Sequence, residues 1–317
     1  ISFYALPDDD GIDVVLASIE SNATVIIGEG TSAQNTSGGW IGSLINLDIS
    51  SGYWIGMANA DTLHGSGSSF DPNRVYDLHV GANLVSFPYP GSVGISMGLP
   101  DDIEDNIQAI IGEGQSAVNS ENGWMGSLNN FEGLNGYWIF SDSVISFSYD
   151  LDSETLSRIS NLHETAKKPQ ALEFIQSSQQ AFYFIDEVTL KNERLESGDW
   201  LVSYCSNIIT GSRQYLGETI DVPVMGYDGH PSTEGYCQGG DTPHFKLYKT
   251  GQGNIIDLQT SAPQWQSNGI FFLSDVKETS SIPSNFVLFT SYPNPFNPIT
   301  NISFSLPEGS WVKIIIH

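Results

Sequence analysis

Two segments of the sequence carry aromatic side chains in the same arrangement, and these are the residues best suited to bind a ligand. In each segment a Gly-Trp step is followed by a Gly-Tyr-Trp triplet. A flat indole ring suits the apolar face of a sugar, and neighbouring strand residues point to opposite faces, so one ring of each Tyr-Trp pair is expected to point outward. The ligand-binding candidates are Trp40, Trp54, Trp124 and Trp138. Packing in the core is the competing interpretation, because tryptophan is usually well buried.

Each of these segments also contains a glutamate flanked by glycines, Glu29 and Glu113. Glycoside hydrolysis needs two carboxylates at a defined distance, and neither glutamate has a second fixed acid partner in the pattern. A turn or capping role is therefore the better interpretation. The sequence has no G-x-S-x-G elbow, and its histidines have no matching nucleophile and acid. We predict no catalytic residues, and a protein that is not an enzyme.

The richest polar segment lies between residues 228 and 244. Asp228, Glu234 and Asp241 would supply oxygen ligands suited to calcium, whereas His230 and His244 would suit zinc. The spacing matches neither an EF-hand loop nor a two-histidine helix, and the alternative is a solvated loop. We therefore predict no cofactor, with calcium bound by the three acidic residues as the one possible metal.

The two cysteines, Cys205 and Cys237, lie in one candidate domain. An oxidising compartment would favour a disulfide between them, with a pair of free buried thiols as the alternative. Closing a loop of this length would stabilise the fold by about 3 kcal/mol.

Charge and hydropathy exclude two classes of partner. The chain has 37 acidic against 11 basic residues and a formal charge of −26, although only 15% of its residues are charged. Such a field repels nucleic acid and anionic lipid. No apolar run approaches the roughly 18 to 20 residues of a membrane span. No signal peptide begins at Ile1, so an exported protein would be expected to extend further upstream.

An internal repeat organises the first half of the chain. Three motifs recur at an offset of 84 residues: Ile-Ile-Gly-Glu-Gly from Ile26 and Ile110, Gly-Trp-x-Gly-Ser-Leu from Gly39 and Gly123, and Gly-Tyr-Trp-Ile from Gly52 and Gly136. We call residues 1–66 repeat 1 and residues 67–150 repeat 2. The offset aligns Ile1 with Val85, inside an apolar run, so repeat 1 is predicted to lack its opening strand. Truncation or processing of a longer chain, or a fragmentary gene, would explain this, and a neighbouring molecule could then supply the strand.

Each repeat is predicted to be a small α+β unit, in which a strand leads into a helix and then into a β-meander with an aromatic core. The helix of repeat 2 is predicted from four isoleucines at helical spacing after Pro100, namely Ile103, Ile107, Ile110 and Ile111. Repeat 1 offers a similar set in Ile12, Val15, Leu16 and Ile19.

The second half of the chain has a different composition. Residues 151–169 are predicted to be a linker, and residues 170–280, which we call the third domain, a β-sandwich. The strands expected there begin near Ala181, Trp200, Phe245 and Ile270. The fold class is therefore mostly β and multidomain, with α+β repeats and β-sandwich modules.

Residues 281–317 are predicted to be the start of a further domain, and they contain a proline-rich motif made of Tyr292, Pro293, Asn294, Pro295, Phe296, Asn297 and Pro298. Its prolines forbid a helix, and Ile302, Phe304 and Leu306 then alternate with serines as in a strand. A second apolar run follows at residues 312–316. Over residues 282–317 this pattern resembles the C-terminal sorting domain of type IX secretion cargo, an immunoglobulin-like module akin to one in flagellar hook-capping proteins. The resemblance implies export across a bacterial outer membrane, and further strands beyond this chain.

These patterns together indicate a secreted or cell-surface bacterial protein with a structural or adhesive role. We expect it to self-associate, as the subunit of an extracellular fibre joined by strand addition. The alternative is a carbohydrate-binding accessory region of a larger secreted hydrolase, with glycans as partners.

Overall fold

The computed structural model describes residues 1–69, 71, 73–151, 168–191 and 194–279, together with the strand residues 287–288 and 304–305. It confirms a mostly β fold with several separate sheets. The chain forms two compact units, Ile1–Lys277 and Glu278–His317. Among the described residues, no helix is long and apolar enough to cross a membrane.

Repeat 1 is built around a four-stranded antiparallel sheet. Its elements are β1 (Ala5–Leu6), α1 (Ile12–Val15), a 3-10 turn (Ala17–Ile19), β2 (Ala23–Gly28), β3 (Thr31–Thr36), β4 (Gly39–Gly42), β5 (Trp54–Met57) and β6 (Ser68–Ser69). The sheet order is β4-β3-β2-β5. Strand β6 lies beyond the predicted end of repeat 1 and pairs with β1. The core under the sheet includes Phe3, Leu16, Ile26 and Tyr53.

Repeat 2 has the same plan with one more strand in its sheet. Its elements are β7 (Tyr76–Leu78), β8 (Gly81–Phe87), β9 (Ser92–Gly94), α2 (Ile95–Gly98), α3 (Asp101–Glu104), β10 (Ile107–Ile111), β11 (Ser116–Ser120), β12 (Gly123–Gly126), β13 (Asn130–Glu132), β14 (Asn135–Ser141) and β15 (Ile145–Phe147). The sheet order is β12-β11-β10-β14-β8. Its core has Phe87, Phe131, Tyr137 and Tyr149 at the centre.

The predicted helix of repeat 2 is wrong for three of its four isoleucines. Only Ile103 lies in a helix, the single turn α3, whereas Ile107, Ile110 and Ile111 belong to β10. Strand β10 lies between β11 and β14 and is covered on both faces, so both faces of its sequence are apolar. A run of this kind cannot be told from a buried helix by spacing alone. In repeat 1 the predicted helical residues do fall in α1 and the 3-10 turn or beside them.

The third domain has two sheets packed over a shared core. Its elements are a 3-10 turn (Gln170–Leu172), β16 (Gln180–Ile185), β17 (Val188–Thr189), β18 (Trp200–Cys205), β19 (Ile208–Gln214), β20 (Ile220–Met225), a 3-10 turn (Pro231–Thr233), β21 (His244–Lys249), β22 (Asn254–Gln259), β23 (Ile270–Leu273) and β24 (Val276–Glu278). The sheet orders are β20-β16-β23 and β17-β24-β22-β21-β18-β19. All four strands predicted from the sequence are present, and both sheets contribute to one buried cluster.

In the second unit, β25 (Val287–Leu288) pairs antiparallel with β26 (Phe304–Ser305). Strand β26 lies within the predicted alternating run. The proline-rich motif at residues 292–298, the apolar run at residues 312–316 and most of the predicted linker, residues 152–167, lie outside the described residues.

Candidate functional site

The two repeats share details of packing as well as topology. The hydroxyl of Tyr53 accepts a hydrogen bond from the Asp48 N–H at 2.7 Å, and that of Tyr137 accepts one from Glu132 at 2.7 Å. In both repeats a glycine lies against this ring, because a Cβ on Gly28 or Gly112 would come within 3.2 Å of it. Burial raises the pKa of Tyr137 to about 12, so its hydroxyl stays protonated. The repeated sequence motifs therefore form the same interior twice.

The outer face of the sheet in repeat 2 is an interface with the third domain. Ile111 is 1% exposed and clusters with Phe182 and Phe184 of β16. Four half-buried side chains pack against this cluster, namely Val118, Trp138, Phe140 and Ile270. Strand β16 is therefore buried on both faces, with its alternate residues Ala181, Tyr183 and Ile185 in the core of the third domain.

A buried carboxylate completes this interface. Asp221 of β20 has a side chain that is 2% exposed, and its Oδ2 accepts hydrogen bonds from the hydroxyls of Ser116 at 2.9 Å and Ser127 at 2.7 Å. The Ser116 N–H lies 3.3 Å from the same oxygen, and Arg213 Nη2 lies 3.5 Å from it. A buried charge is tolerated only when it is paired and hydrogen-bonded, and this one is both.

The Gly-Glu-Gly turn of repeat 2 also contacts the third domain through its backbone. Gln180 Nε2 donates to the Gly112 carbonyl at 2.9 Å, and its Oε1 accepts from the Gly114 N–H at 3.0 Å. Arg213 Nη2 donates to the Gly114 carbonyl at 2.6 Å. The turn is therefore held by an amide and a guanidinium from the neighbouring domain.

The equivalent face of repeat 1 is more exposed, and no described hydrophobic cluster joins it to another domain. Ile27, the counterpart of Ile111, is half-buried, and Ser32, the counterpart of the fully buried Ser116, is exposed. Ser43, the counterpart of Ser127, is exposed as well, and Ile41 on the same face is 64% exposed. We call this surface the outer face of repeat 1.

The sheet edge next to that face is open as well. In repeat 2, β8 pairs with β14 along its whole length. In repeat 1 only the start of this pairing is present, since Ile1 and Tyr53 exchange backbone hydrogen bonds at 2.8 and 2.9 Å. Beyond Tyr53, β5 is the terminal strand of its sheet among the described residues. We call Trp54–Met57 the open edge.

The Glu29 side chain joins the two repeats. Its Oε2 accepts a hydrogen bond from the Leu84 N–H at 2.7 Å, and its Oε1 lies 2.6 Å from His79 Nε2. The hydrogen bond from His79 to the Val80 carbonyl, and next the bond to Glu29, raise the pKa of His79. Glu29 thus makes a structural contact between the repeats.

The four candidate tryptophans occupy different environments. Trp40 and Trp124 are half-buried and pack against the cores of repeats 1 and 2, and Trp138 packs against the third domain. Trp124 Nε1 donates a hydrogen bond to Glu104, whereas the buried Trp40 Nε1 has no acceptor in the described part of the chain. Trp54 is half-buried and belongs to none of these clusters. The structure does not bring the four rings together.

The candidate calcium residues are also dispersed. Asp228 bonds the Thr233 hydroxyl at 2.6 Å, Asp241 accepts from the Gln238 N–H at 2.8 Å, and Glu234 is exposed. Within the residues that are described, no three His, Cys, Asp or Glu side chains are grouped so as to hold a metal ion. The predicted disulfide is present, joining Cys205 to Cys237 with their Cα atoms 5.4 Å apart.

The residues that form the interface of repeat 2 were missed by reasoning from sequence. Asp221, Gln180 and Arg213 stand in no motif that marks them as partners of repeat 2. A signal did exist for the serines, because Ser43 and Ser127 belong to the repeated Gly-Trp-x-Gly-Ser-Leu motif. Comparisons with models of known families, with curated proteins and with solved structures found no match for this chain.

Proposed function

We propose that this chain is a secreted, non-enzymatic structural or adhesive protein, and that it forms an extracellular fibre by strand addition. The observation that carries the proposal is the open edge at Trp54–Met57, beside a copy of the same sheet in which the equivalent strand is paired along its length. A free strand edge is a template for pairing with another chain.

The geometry of the open edge suits an antiparallel partner. Tyr53 exchanges both backbone hydrogen bonds with Ile1. Alternate residues of a strand direct their N–H and C=O groups to the same side, so those of Ile55 and Met57 also point to the side on which Ile1 lies. Met57 is 37% exposed. A strand that continues the pairing of Ile1 would satisfy these groups, as Gly81–Phe87 does in repeat 2.

The core of repeat 1 supports this proposal too. Repeat 2 buries Tyr76 and Leu78 of β7 beside Phe147. The counterpart of Phe147 in repeat 1 is Leu63, which is only half-buried against its core. A strand from a neighbouring copy that added to the open edge would bury this apolar surface as well as pair the edge.

The fibre proposal is tested on the intact chain by sedimentation and negative-stain microscopy over a range of concentrations. We expect filaments from the wild type, and none from Met57→Pro, which removes an outward N–H. The matched control Met57→Ser keeps the N–H and should still assemble. Monodisperse particles at high wild-type concentration, or filaments from Met57→Pro, would refute strand addition at this edge.

A synthetic peptide with the sequence of residues 75–84 provides a second test. It carries β7 and the start of β8, so it should bind the open edge, raise the melting temperature of the chain and block assembly. A scrambled peptide should do neither. An unchanged melting temperature with both peptides would argue against a vacant strand position.

Export is supported by the disulfide, which suits an oxidising compartment, and by the resemblance of residues 282–317 to a sorting domain. In a bacterium with a type IX system, we expect secretion of the chain and retention of a variant lacking residues 282–317. Equal secretion of both would refute the sorting role.

The alternative, a carbohydrate-binding region of a larger secreted hydrolase, is favoured by one observation. Trp54 is the candidate tryptophan that belongs to no described cluster, so its ring is the one best placed to stack on a sugar. Binding to a glycan array that is lost in Trp54→Ala would support this function. No retention on any glycan would refute it.

A further inference from the structure

We infer that the outer face of repeat 1 is a docking surface for a β-sandwich module of the kind formed by the third domain, carried by another chain. This surface is distinct from the open edge, because it is the face of the sheet and not its terminal strand. The inference rests on a comparison within one molecule: repeat 2 uses the same face, with equivalent residues, to hold the third domain.

The polar part of that interface is conserved between the two faces. Ser32 and Ser43 stand at the positions of Ser116 and Ser127, which together hold Asp221. In repeat 1 the Ser32 N–H lies 3.3 Å from the Ser43 hydroxyl, so serine occupies the place that the carboxylate takes in repeat 2. Both side chains are exposed, so an incoming carboxylate can reach them and replace this hydrogen bond. The partner should therefore present an aspartate or glutamate here.

The apolar part of the interface is conserved at two positions, whereas Gln34, which is exposed, replaces Val118. Ile27 and Trp54 replace Ile111 and Trp138, which pack near Phe182 and Phe184. Gly56 replaces Phe140, but a Cβ on Gly56 would lie 2.7 Å from Val25 Cγ1, so Val25 fills part of that position. Val25, Ile27 and Trp54 leave an apolar surface beside two serines, which suits a strand with alternate aromatic residues such as β16.

The remaining contact in repeat 2 is made by the Gly-Glu-Gly turn, and repeat 1 repeats that turn. Gly30, the counterpart of Gly114, is exposed and has a positive φ of 65°, against 66° for Gly114. A partner with an amide and a guanidinium like those of Gln180 and Arg213 would bind the backbone of this turn in the same way. The partner is thus expected to present a carboxylate flanked by hydrogen-bond donors, on a sheet with an aromatic face.

The third domain of this chain cannot fill the outer face of repeat 1 while it lies on repeat 2. The third domain of this chain already lies on repeat 2, with Asp221 buried there. Each copy therefore has two equivalent faces and one described module to fill them, which leaves the outer face of repeat 1 for a module from elsewhere.

The test releases the third domain of this chain from repeat 2, so that it can bind the outer face of repeat 1 in a second copy. Ser127→Asp places a second carboxylate beside Asp221, and Phe140→Asp places one against the aromatic cluster, so each variant should open the interface of repeat 2. Both are made in the Met57→Pro background, which removes association through the open edge. Opening is followed by the fluorescence of Trp138, with Trp138→Phe as the blank.

The expected result is a shift from monomer to dimer in sedimentation for a variant with an opened interface, as the freed module docks on repeat 1 of a second copy. Adding Ser43→Asp should abolish the dimer, whereas adding Ser37→Asp, an exposed turn residue of the same repeat, should leave it intact. The inference is overturned if the Ser127→Asp and Phe140→Asp variants both remain monomeric. It is also overturned if the dimer persists when Ser43→Asp is added. Since the open edge is blocked throughout, neither outcome depends on fibre formation.

Discussion

Repeats 1 and 2 have the same interior and different surroundings. Tyr53 and Tyr137 make equivalent hydrogen bonds over equivalent glycines, at the same distances. On the other side of the sheet, Ser32 is exposed and Ser116 is fully buried. This difference shows that the sequence of a sheet face does not by itself decide whether the face is an interface. Ser, Ile and Trp at these positions are an interface in repeat 2 because a complementary carboxylate and aromatic strand lie against them.

The largest effect should come from Asp221→Ala. This change leaves Arg213 without its carboxylate and both serines of repeat 2 without an acceptor, at a cost of about 3 to 5 kcal/mol in the free energy of unfolding. Urea denaturation measures it. On the outer face of repeat 1, Ser43→Ala should cost less than about 0.5 kcal/mol, because this exposed hydroxyl accepts one long hydrogen bond, from the Ser32 N–H at 3.3 Å. Equal losses would remove the distinction between the two faces.

The second largest difference in stability is expected between variants of the tryptophans on the outer faces of the two repeats. Trp138→Ala removes a ring packed between repeat 2 and the third domain, and should cost about 3 kcal/mol. Trp54→Ala should cost only about 1 kcal/mol, since Trp54 packs in none of the described hydrophobic clusters. Thermal or urea unfolding of the two variants is compared with the wild type. A larger loss for Trp54 would show that the face of repeat 1 is covered.

The inward tryptophans differ in their polar contacts. Trp124→Phe removes the indole donor to Glu104 and should cost about 1 to 2 kcal/mol. The same change at Trp40 removes a buried N–H with no acceptor among the described residues, so it should be nearly neutral or slightly stabilising. Unfolding free energies give the comparison. A loss of similar size at Trp40 would mean that its N–H is satisfied.

The buried tyrosines should behave alike, which tests the sameness of the two interiors. Tyr53→Phe and Tyr137→Phe each remove the acceptor of one backbone N–H, and each should cost about 1 kcal/mol. The two values should agree within the usual scatter of such measurements. A clear difference would show that the shared sequence motif does not impose shared energetics.

The smallest effect concerns the contact between the repeats. The pKa of His79 is raised in the folded state, through the Val80 carbonyl and then Glu29. Its stabilising contribution is therefore complete below the unfolded pKa of about 6.5 and is lost as the pH rises through the folded value. An NMR titration of His79 should show the pKa falling in Glu29→Gln. Glu113→Gln, at the equivalent position of repeat 2, should leave it unchanged.

Much of the fold could be predicted from local patterns. The repeat was visible because its motifs encode one interior twice, and the strands of the third domain were visible as apolar runs between turn residues. The helix through Ile107, Ile110 and Ile111 was wrong because an apolar run covered on both faces carries no periodicity that favours a strand. The disulfide was predictable because only two cysteines are present. The residues of the candidate site were predictable only where they belong to a repeated motif, as Ser43 and Ser127 do.

The sequence by itself determined that two sheets share one packing, because side chains within 84-residue copies carry the same interior contacts. Only the tertiary structure decided which sheet face is covered and which strand edge is paired. Asp221 and Ser116 are 105 residues apart in the chain, so no local pattern connects them. The equivalent serine binds a carboxylate in repeat 2 and contacts solvent in repeat 1. This difference in burial is a property of the assembled molecule.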